Sequence, residues 1–300
     1  PPMATLSSLI SVLAAHNKDD LGVAVEGESF TRPLYTIMAQ VLELAAGQYR
    51  VNLGKTPNTY NPELSYAANF MHLMFSEPGQ PYEVLPAVEK AMDLFLILHA
   101  DHEQNCSTST VRIVGSSQSN LFSSVSAGVG ALWGPLHGGA NCEVIKMLNS
   151  IHNDGIAPSD FVAQAKDKTS GVKLMGFGHR VYKNFDPRAK VLKVQVDNVL
   201  EALNIDDPLM GIAKELEEMA RSDSYFVDRN LYPNVDFYSG ILLKALNIPI
   251  DMFTVLFAIG RIPGWIANYR ELHVQGQRIG RPRQIYTGAA LRDYTDISAR

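Results

Sequence analysis

Three short segments each set one proton-handling residue in a turn marked by glycine or proline: GPLHGGAN with His137, MGFGHRVYKNFDPR with His179, and LYPNVDFYSG with Asp236. Two histidines and a carboxylate suffice to enolise one molecule and add it to another, because one group must take a proton while others support the oxygens that gain charge. Each segment leads into helically spaced apolar residues behind a capping-type residue: Asn141, Asp186 and Asn234. Helix N-termini gather anions, which makes these turns candidate substrate contacts.

Pro135 and the Gly138-Gly139 pair leave space for a ligand to approach the backbone beside His137. A helix starting near Asn141 would turn its positive end toward the imidazole, keep it neutral and let it donate a hydrogen bond to a carbonyl. A lone histidine is more often structural, so the flanking glycines carry this reading. Around His179 the chain supplies Arg180, Lys183 and Arg188. Gly176-Phe177-Gly178 lacks the third glycine and the preceding strand of a dinucleotide-binding turn, so positive charge is the stronger signal there. Arg188 falls in the first turn of a helix through Val191, Leu192, Val199 and Leu203. A cation there opposes the helix dipole unless an anion lies between them, and either a bound carboxylate or a salt bridge would serve. Asp236 by itself reads as an ordinary first-turn acid; the neighbouring Phe237 and Tyr238 would exclude water and raise its basicity.

His99 and His102 lie three apart in LFLILHADHEQN and, on a helix, would face the same way. A zinc site would need a third ligand and HExxH is absent, so we expect no metal, with His102 a donor to substrate and His99 packed in the helix. Arg261, ending the apolar stretch DMFTVLFAIGR, and Arg281 in a basic stretch are candidate carboxylate clamps, since guanidinium matches carboxylate bidentately. Either also fits an ordinary exposed arginine.

The elements that must hold these residues are helices: helical periodicity recurs along the chain, alternating β-type runs do not, and the expected class is all-α. Asp207-Pro208 opens a helix with Leu209, Ile212, Ala213, Leu216, Met219 and Ala220 inward and Glu215, Glu217 and Glu218 toward solvent. Ser124, Gly128 and Ala131 give one helix a small face for close packing. After Gly276, QRIGRPRQIYTG reads as an extended basic arm.

Three hundred residues, 46% hydrophobic and 19% charged, are ample for a buried core, and a formal charge of -5 argues against a general nucleic-acid surface. Cys106 and Cys142 offer no disulfide framework, which points to a reducing compartment. The stretch from Met252 to Gly260 is too short to cross a bilayer, and no targeting segment precedes it. The expectation is a cytoplasmic protein that engages neither membrane nor nucleic acid.

The segments LHADHEQNCSTST, WGPLHGGAN, LMGFGHRVYKNFDPR, LYPNVDFYSG, GRIPGWIANYRE and RPRQIYTG together resemble bacterial (type II) citrate synthase, from near Met3 to about Asp293. The resemblance implies a large domain (1–136 and 245–300) and a small one (137–244) around a cleft, assembled as homodimers or hexamers of dimers. It implies that His137 bonds the thioester carbonyl of acetyl-CoA, Asp236 takes a methyl proton, and His179 polarises the ketone of oxaloacetate. His102, Arg188, Arg261 and Arg281 would hold the carboxylates, Arg281 from the neighbouring subunit. Leu174, Met175, Gly176, Phe177 and Gly178 would lend backbone groups to CoA, and Arg180 and Lys183 would meet its phosphates. No cofactor is implied, because acetyl-CoA is a substrate. Members of this family carry a further N-terminal portion ahead of the region matching Pro1 to His16. The close alternatives are 2-methylcitrate synthase, which uses propionyl-CoA, and a truncated inactive chain serving as a helical assembly partner. A metallohydrolase built on His99 and His102 is a more distant one.

Overall fold

The computed structural model describes residues 1–300 except Arg180 and Lys183, so the expected phosphate contacts lie outside the described residues. Among the described residues the secondary structure is helical, with one isolated antiparallel bridge between Phe177 and Pro233. The α-helices are α1 (Pro2–His16), α2 (Glu28–Asn52), α3 (Tyr66–Phe75), α4 (Pro86–His99), α5 (Cys106–Gly115), α6 (Leu121–Leu132) and α7 (Ala140–Asn153). They continue as α8 (Pro158–Lys166), α9 (Pro187–Ala202), α10 (Pro208–Ser222), α11 (Ser224–Val227), α12 (Val235–Ala245) and α13 (Phe253–Val274). This is the all-α class read from periodicity.

Local chemistry sets many of the starts. The side chains of Ser65, Asn105, Asn120, Asp186, Asp207 and Asn234 each accept a backbone N–H in the first turn of α3, α5, α6, α9, α10 and α12. Asn141 departs from expectation. Gly139 caps α7, so Asn141 sits inside the first turn, buried, with both amide atoms unpartnered. In α10 the inward face is as read, except that Glu217 is also buried, where Lys193 bonds both its oxygens at 2.6 and 2.7 Å and Arg221 adds a third contact. Helical spacing read Glu217 as facing solvent; a pair of cations from α9 and α10 drew it inward.

Helix α13 is the axis of the larger packing neighbourhood, touching α1, α2, α4, α5 and α6, while α12 packs on α7 and α9, and α4 meets α9. Arg261 therefore does not end a helix but lies in the middle of α13, which continues through Pro263 for three further turns. The segment Ile250–Val274 is long and apolar enough in composition to cross a membrane, longer than the stretch read from sequence, but its most apolar window is 72% buried inside the protein. It is a core helix. Gly264 explains how close the packing runs: a Cβ there would collide with the carbonyl of Ala100, so the end of α4 rests directly on the α13 backbone. Gly128 of α6 does the same for the ring of Trp265, as the small face of α6 predicted.

Beyond Val274 the chain leaves the core. Gly280 N donates to Ser116 Oγ at 2.8 Å, and residues 277–300 are exposed, forming the arm expected from composition.

Candidate active site

The contact of α4 with α13 delivers the first group of site residues. Arg261 is 1% exposed; its Nε donates to His99 O at 2.6 Å, and its Nη1 is buried with no protein partner. Burial lowers its pKa to about 10, offset by Asp101 and reinforced by Arg188, so it stays a cation at neutral pH. An unpaired buried guanidinium nitrogen is costly unless a ligand answers it.

His99 and His102 do not share a helical face. Helix α4 stops at His99, whose ring is buried between Phe95 and Phe257 with Nδ1 2.7 Å from Phe95 O. His102 lies beyond the helix end, half-buried, with Nε2 3.1 Å from the Tyr182 hydroxyl. The two rings diverge, and among the described residues no three His, Cys, Asp or Glu side chains gather as a metal site would require.

His102 faces His179 edge to face at 5.3 Å, and Tyr182 stacks obliquely on His179 at 4.7 Å. His179 Nδ1 accepts the backbone N–H groups of Val181 and Tyr182 at 3.1 and 3.2 Å, so in the neutral ring the proton sits on Nε2. That Nε2 lies 3.3 Å from Arg188 Nη2, two donors face to face, and an anionic oxygen between them would satisfy both. Burial and then the Arg188 charge hold His179 below its ordinary pKa; His102 is lowered by burial, Arg188, His179 and Arg261. Both rings are neutral and lodged among cations, with His179 donating through Nε2.

The anion that steadies Arg188 in the first turn of α9 turns out to be Asp186. Its carboxylate caps the helix through Arg188 N at 3.0 Å, receives Arg188 Nε and Nη2 at 3.1 and 3.0 Å, and accepts Val235 N from α12 at 3.0 Å. The salt-bridge alternative thus holds in part, buried rather than on the surface, and Nη1 of Arg188 keeps no protein hydrogen bond among the described residues. Burial alone would raise Asp186, but Arg188 and the two backbone N–H groups hold it below the usual carboxylate range. Its stabilisation is therefore present above about pH 4 and fades as the pH falls through the folded value. We expect Asp186→Asn to lose about 3 kcal/mol of stability and that acid limb, and to raise KM for the ligand of Arg188, checked by urea melts across pH and by steady-state kinetics.

Asp236 occupies the first turn of α12, held by Asn234 Oδ1, which accepts Asp236 N at 3.0 Å. It retains part of its surface but is densely surrounded; loss of water pushes its pKa up to about 6, against the pull of Arg188 and with the push of Asp186. The rings of Phe237 and Tyr238 enter the core beside it, Phe237 against Phe177 at 5.0 Å. The turn before α12 is tied to the glycine segment before His179: Asn234 N donates to Gly176 O at 2.9 Å, Gly178 N to Tyr232 O at 2.8 Å, and Asn234 Nδ2 to Gly178 O at 2.8 Å. Gly176, at φ +80°, has no space for a Cβ between Val144 and Phe237. Leu174, Met175 and Phe177 pack against the core on this edge.

His137 is half-buried in the turn before α7, yet the helix that faces it is α5. Ser107 N donates to His137 Nε2 at 3.3 Å, and Ser107 Oγ lies 2.9 Å from the same nitrogen. A backbone N–H only donates, so Nε2 is the bare nitrogen and Nδ1 carries the hydrogen. Burial and Arg261 keep the ring below its ordinary pKa. The ring is held neutral by burial and Arg261 rather than by the start of α7, and α5 supplies the groups that face Nε2, a long-range packing that sequence spacing did not reveal.

The structure thus gathers His102, His179, Arg188 and Tyr182, sets Arg261 within their field, and places Asp236 next in the chain to Val235, whose N–H Asp186 holds. Arg281 stands apart on the exposed arm. Sequence reasoning missed Tyr182, Ser107 and the double duty of Asp186; the last was visible only as a cap.

Comparison with known proteins places this geometry. The family described as citrate synthase, C-terminal domain, matches residues 1–283. Citrate synthase 1 of Mycobacterium tuberculosis (strain H37Rv) is 53% identical over 300 residues, covering 100% of this chain and 69% of that protein. Citrate synthase of Corynebacterium glutamicum is 50% identical over 289 residues, covering 96% of this chain and 66% of that protein. Among solved structures, citrate synthase from Pyrobaculum aerophilum superposes with TM-score 0.87 at 36% identity, covering 100% of this chain and 74% of that one. The ternary complex of the Thermoplasma acidophilum citrate synthase with carboxymethyl coenzyme A and oxaloacetate gives TM-score 0.85 at 29% identity, over 100% and 76%. With nearly its whole length matched and half its residues shared with these relatives, the chain belongs to the citrate synthase family.

Proposed function

We propose that this chain runs the citrate synthase reaction with His137, His179 and Asp236 as its proton-handling groups. The reaction is an acyl-transferring condensation of acetyl-CoA with oxaloacetate, followed by hydrolysis of citryl-CoA to citrate and CoA. The observation that carries the residue assignment is the pairing of two neutral imidazoles, His102 and His179, with two cations, Arg188 and Arg261, each of which keeps a guanidinium nitrogen free of protein hydrogen bonds among the described residues. That set fits a dicarboxylate bearing a ketone: the cations take the carboxylates and His179 Nε2–H meets the ketone oxygen. The relative solved with oxaloacetate and carboxymethyl coenzyme A supports this ligand pair.

Asp236, with a pKa of about 6, is basic enough to take the methyl proton of acetyl-CoA yet ionised at neutral pH. His137 Nδ1–H donates to the thioester oxygen as charge builds there. The resulting carbon nucleophile attacks the ketone carbon, whose oxygen takes the Nε2 proton of His179 to become the hydroxyl of citryl-CoA; the ring regains a proton from solvent as Asp236 gives one up. A water then cleaves the thioester, releasing CoA. Leu174 to Gly178 would lend backbone groups to the CoA adenine, and no cofactor beyond the substrates is required. We assign α1–α6 with α13 to the large domain and α7–α12 to the small one, in a dimer or a hexamer of dimers in which Arg281 completes the partner's site. The free thiols Cys106 and Cys142 suit a cytoplasmic setting.

The test is CoA release with oxaloacetate, comparing acetyl-CoA and propionyl-CoA. Acetyl-CoA should be preferred by about 10- to 200-fold in kcat/KM, the discrimination one methylene allows. Preference for propionyl-CoA would favour the 2-methylcitrate alternative, against which the names of the relatives already weigh. No turnover of either would leave an assembly role.

A further inference from the structure

The indole of Trp265 donates to Ser107 Oγ at 3.3 Å, and Ser107 is the residue that faces His137 Nε2. Trp265 is fully buried in α13, one turn beyond Arg261, and its ring fits against Gly128. From this arrangement we propose that Trp265 is a positioning residue for the acetyl-CoA half-reaction, fixing through Ser107 the tautomer in which His137 carries its hydrogen on Nδ1. The inference rests on the assignment of His137 as donor to the thioester carbonyl.

Ser107 Oγ has one hydrogen and two lone pairs, and it is fully buried. Three groups surround it: Trp265 Nε1, which only donates; Asn105 Oδ1 at 2.9 Å, which only accepts; and His137 Nε2 at 2.9 Å, which does either. In one arrangement Oγ–H points at His137 Nε2 and the imidazole hydrogen is on Nδ1, which gives up the bond to Asn105 and leaves Oγ and Oδ1, both as acceptors, 2.9 Å apart. In the other Oγ–H points at Asn105, and His137 must donate from Nε2, which sets its N–H against the Ser107 backbone N–H at 3.3 Å.

With the indole donating, the first arrangement leaves Oγ one unused lone pair. Without it, both lone pairs would be empty in a dry site, and drawing Nε2–H toward Oγ would fill one of them. Trp265 also polarises the hydroxyl and strengthens its own donation onward. The indole thus weights the balance toward the Nδ1–H form, the one able to meet a carbonyl. Asn105 is already engaged by Thr108 N at 3.1 Å, which lessens its competition for the Ser107 hydrogen.

Trp265→Phe removes the donor and keeps an aromatic ring. Long-range 15N spectra of the histidine-labelled protein, with the His137 signal identified by its loss in His137→Gln, read the tautomer directly. Wild type should show bare Nε2 and protonated Nδ1; the variant should move toward protonated Nε2. Its kcat should fall about tenfold, as loss of an outer partner does, with KM for oxaloacetate unchanged. If Trp265→Phe does not fold, a benzothienylalanine at position 265 keeps both rings and replaces the N–H with sulfur. Unchanged His137 nitrogen shifts in the folded variant would overturn the inference, whatever happens to activity. The assignment of His137 itself fails separately, if His137→Gln retains wild-type kcat.

Discussion

Asp236→Asn is expected to lower kcat by on the order of 10³-fold while leaving KM for oxaloacetate close to wild type, because the side chain is nearly isosteric but cannot accept the methyl proton. The same substitution should make the protein more stable. Asp236 is raised in the folded state to about 6, so the native chain holds that proton more tightly than the unfolded one. Its contribution to stability therefore improves as pH falls from about 6 toward 4 and is unfavourable at neutral pH. Discounted for its partial exposure, that penalty is about 1 to 2 kcal/mol, and the uncharged amide escapes it. Thermal melts at pH 7.5 should show the variant a few degrees above wild type, with the difference vanishing near pH 4. The wild-type kcat/KM should decline below pH 6 as the base takes up its proton. A variant that lost substrate affinity but kept its kcat would mean that another group is the base.

The second large effect concerns Arg281. It lies on the exposed arm, and the proposed dimer has it complete the partner's site. Arg281→Ala and Asp236→Asn should each be nearly inactive alone. In a mixed dimer both lesions fall in one site and the other is native, so random pairing should restore roughly a quarter of wild-type activity in a two-fold assembly. Differentially tagged mixed dimers that stay at the parental level would show that Arg281 does not act across subunits.

Much of the fold was legible because its signals are local. Asp186, Asp207 and Asn234 announce helix starts through their own side chains, and the small residues of α6 announce close packing. What failed were inferences that needed a partner from elsewhere in the chain. Spacing put His99 and His102 on one face, but α4 ends between them, where the Ala100 carbonyl rests against Gly264. Glu217 read as solvated until Lys193 came across from α9, and the groups facing His137 Nε2 sit on α5, thirty residues upstream of the turn that carries it. At the site, residue types suggested the chemistry we propose, whereas Ser107, Tyr182 and the bridging role of Asp186 belong to tertiary geometry.

The backbone bonds that tie Gly176 and Gly178 to Tyr232 and Asn234 join two stretches more than fifty residues apart, one leading to His179 and the other to Asp236. These amides should exchange with solvent as one cooperative unit, since opening either side removes the partners of the other. Heritable change is constrained in the same way. A substitution that slackens this seam would impair ketone recognition and proton abstraction in the same stroke, so drift here cannot trade one capacity for the other. New substrate range would have to arise in the cleft-facing side chains, with the seam inherited whole.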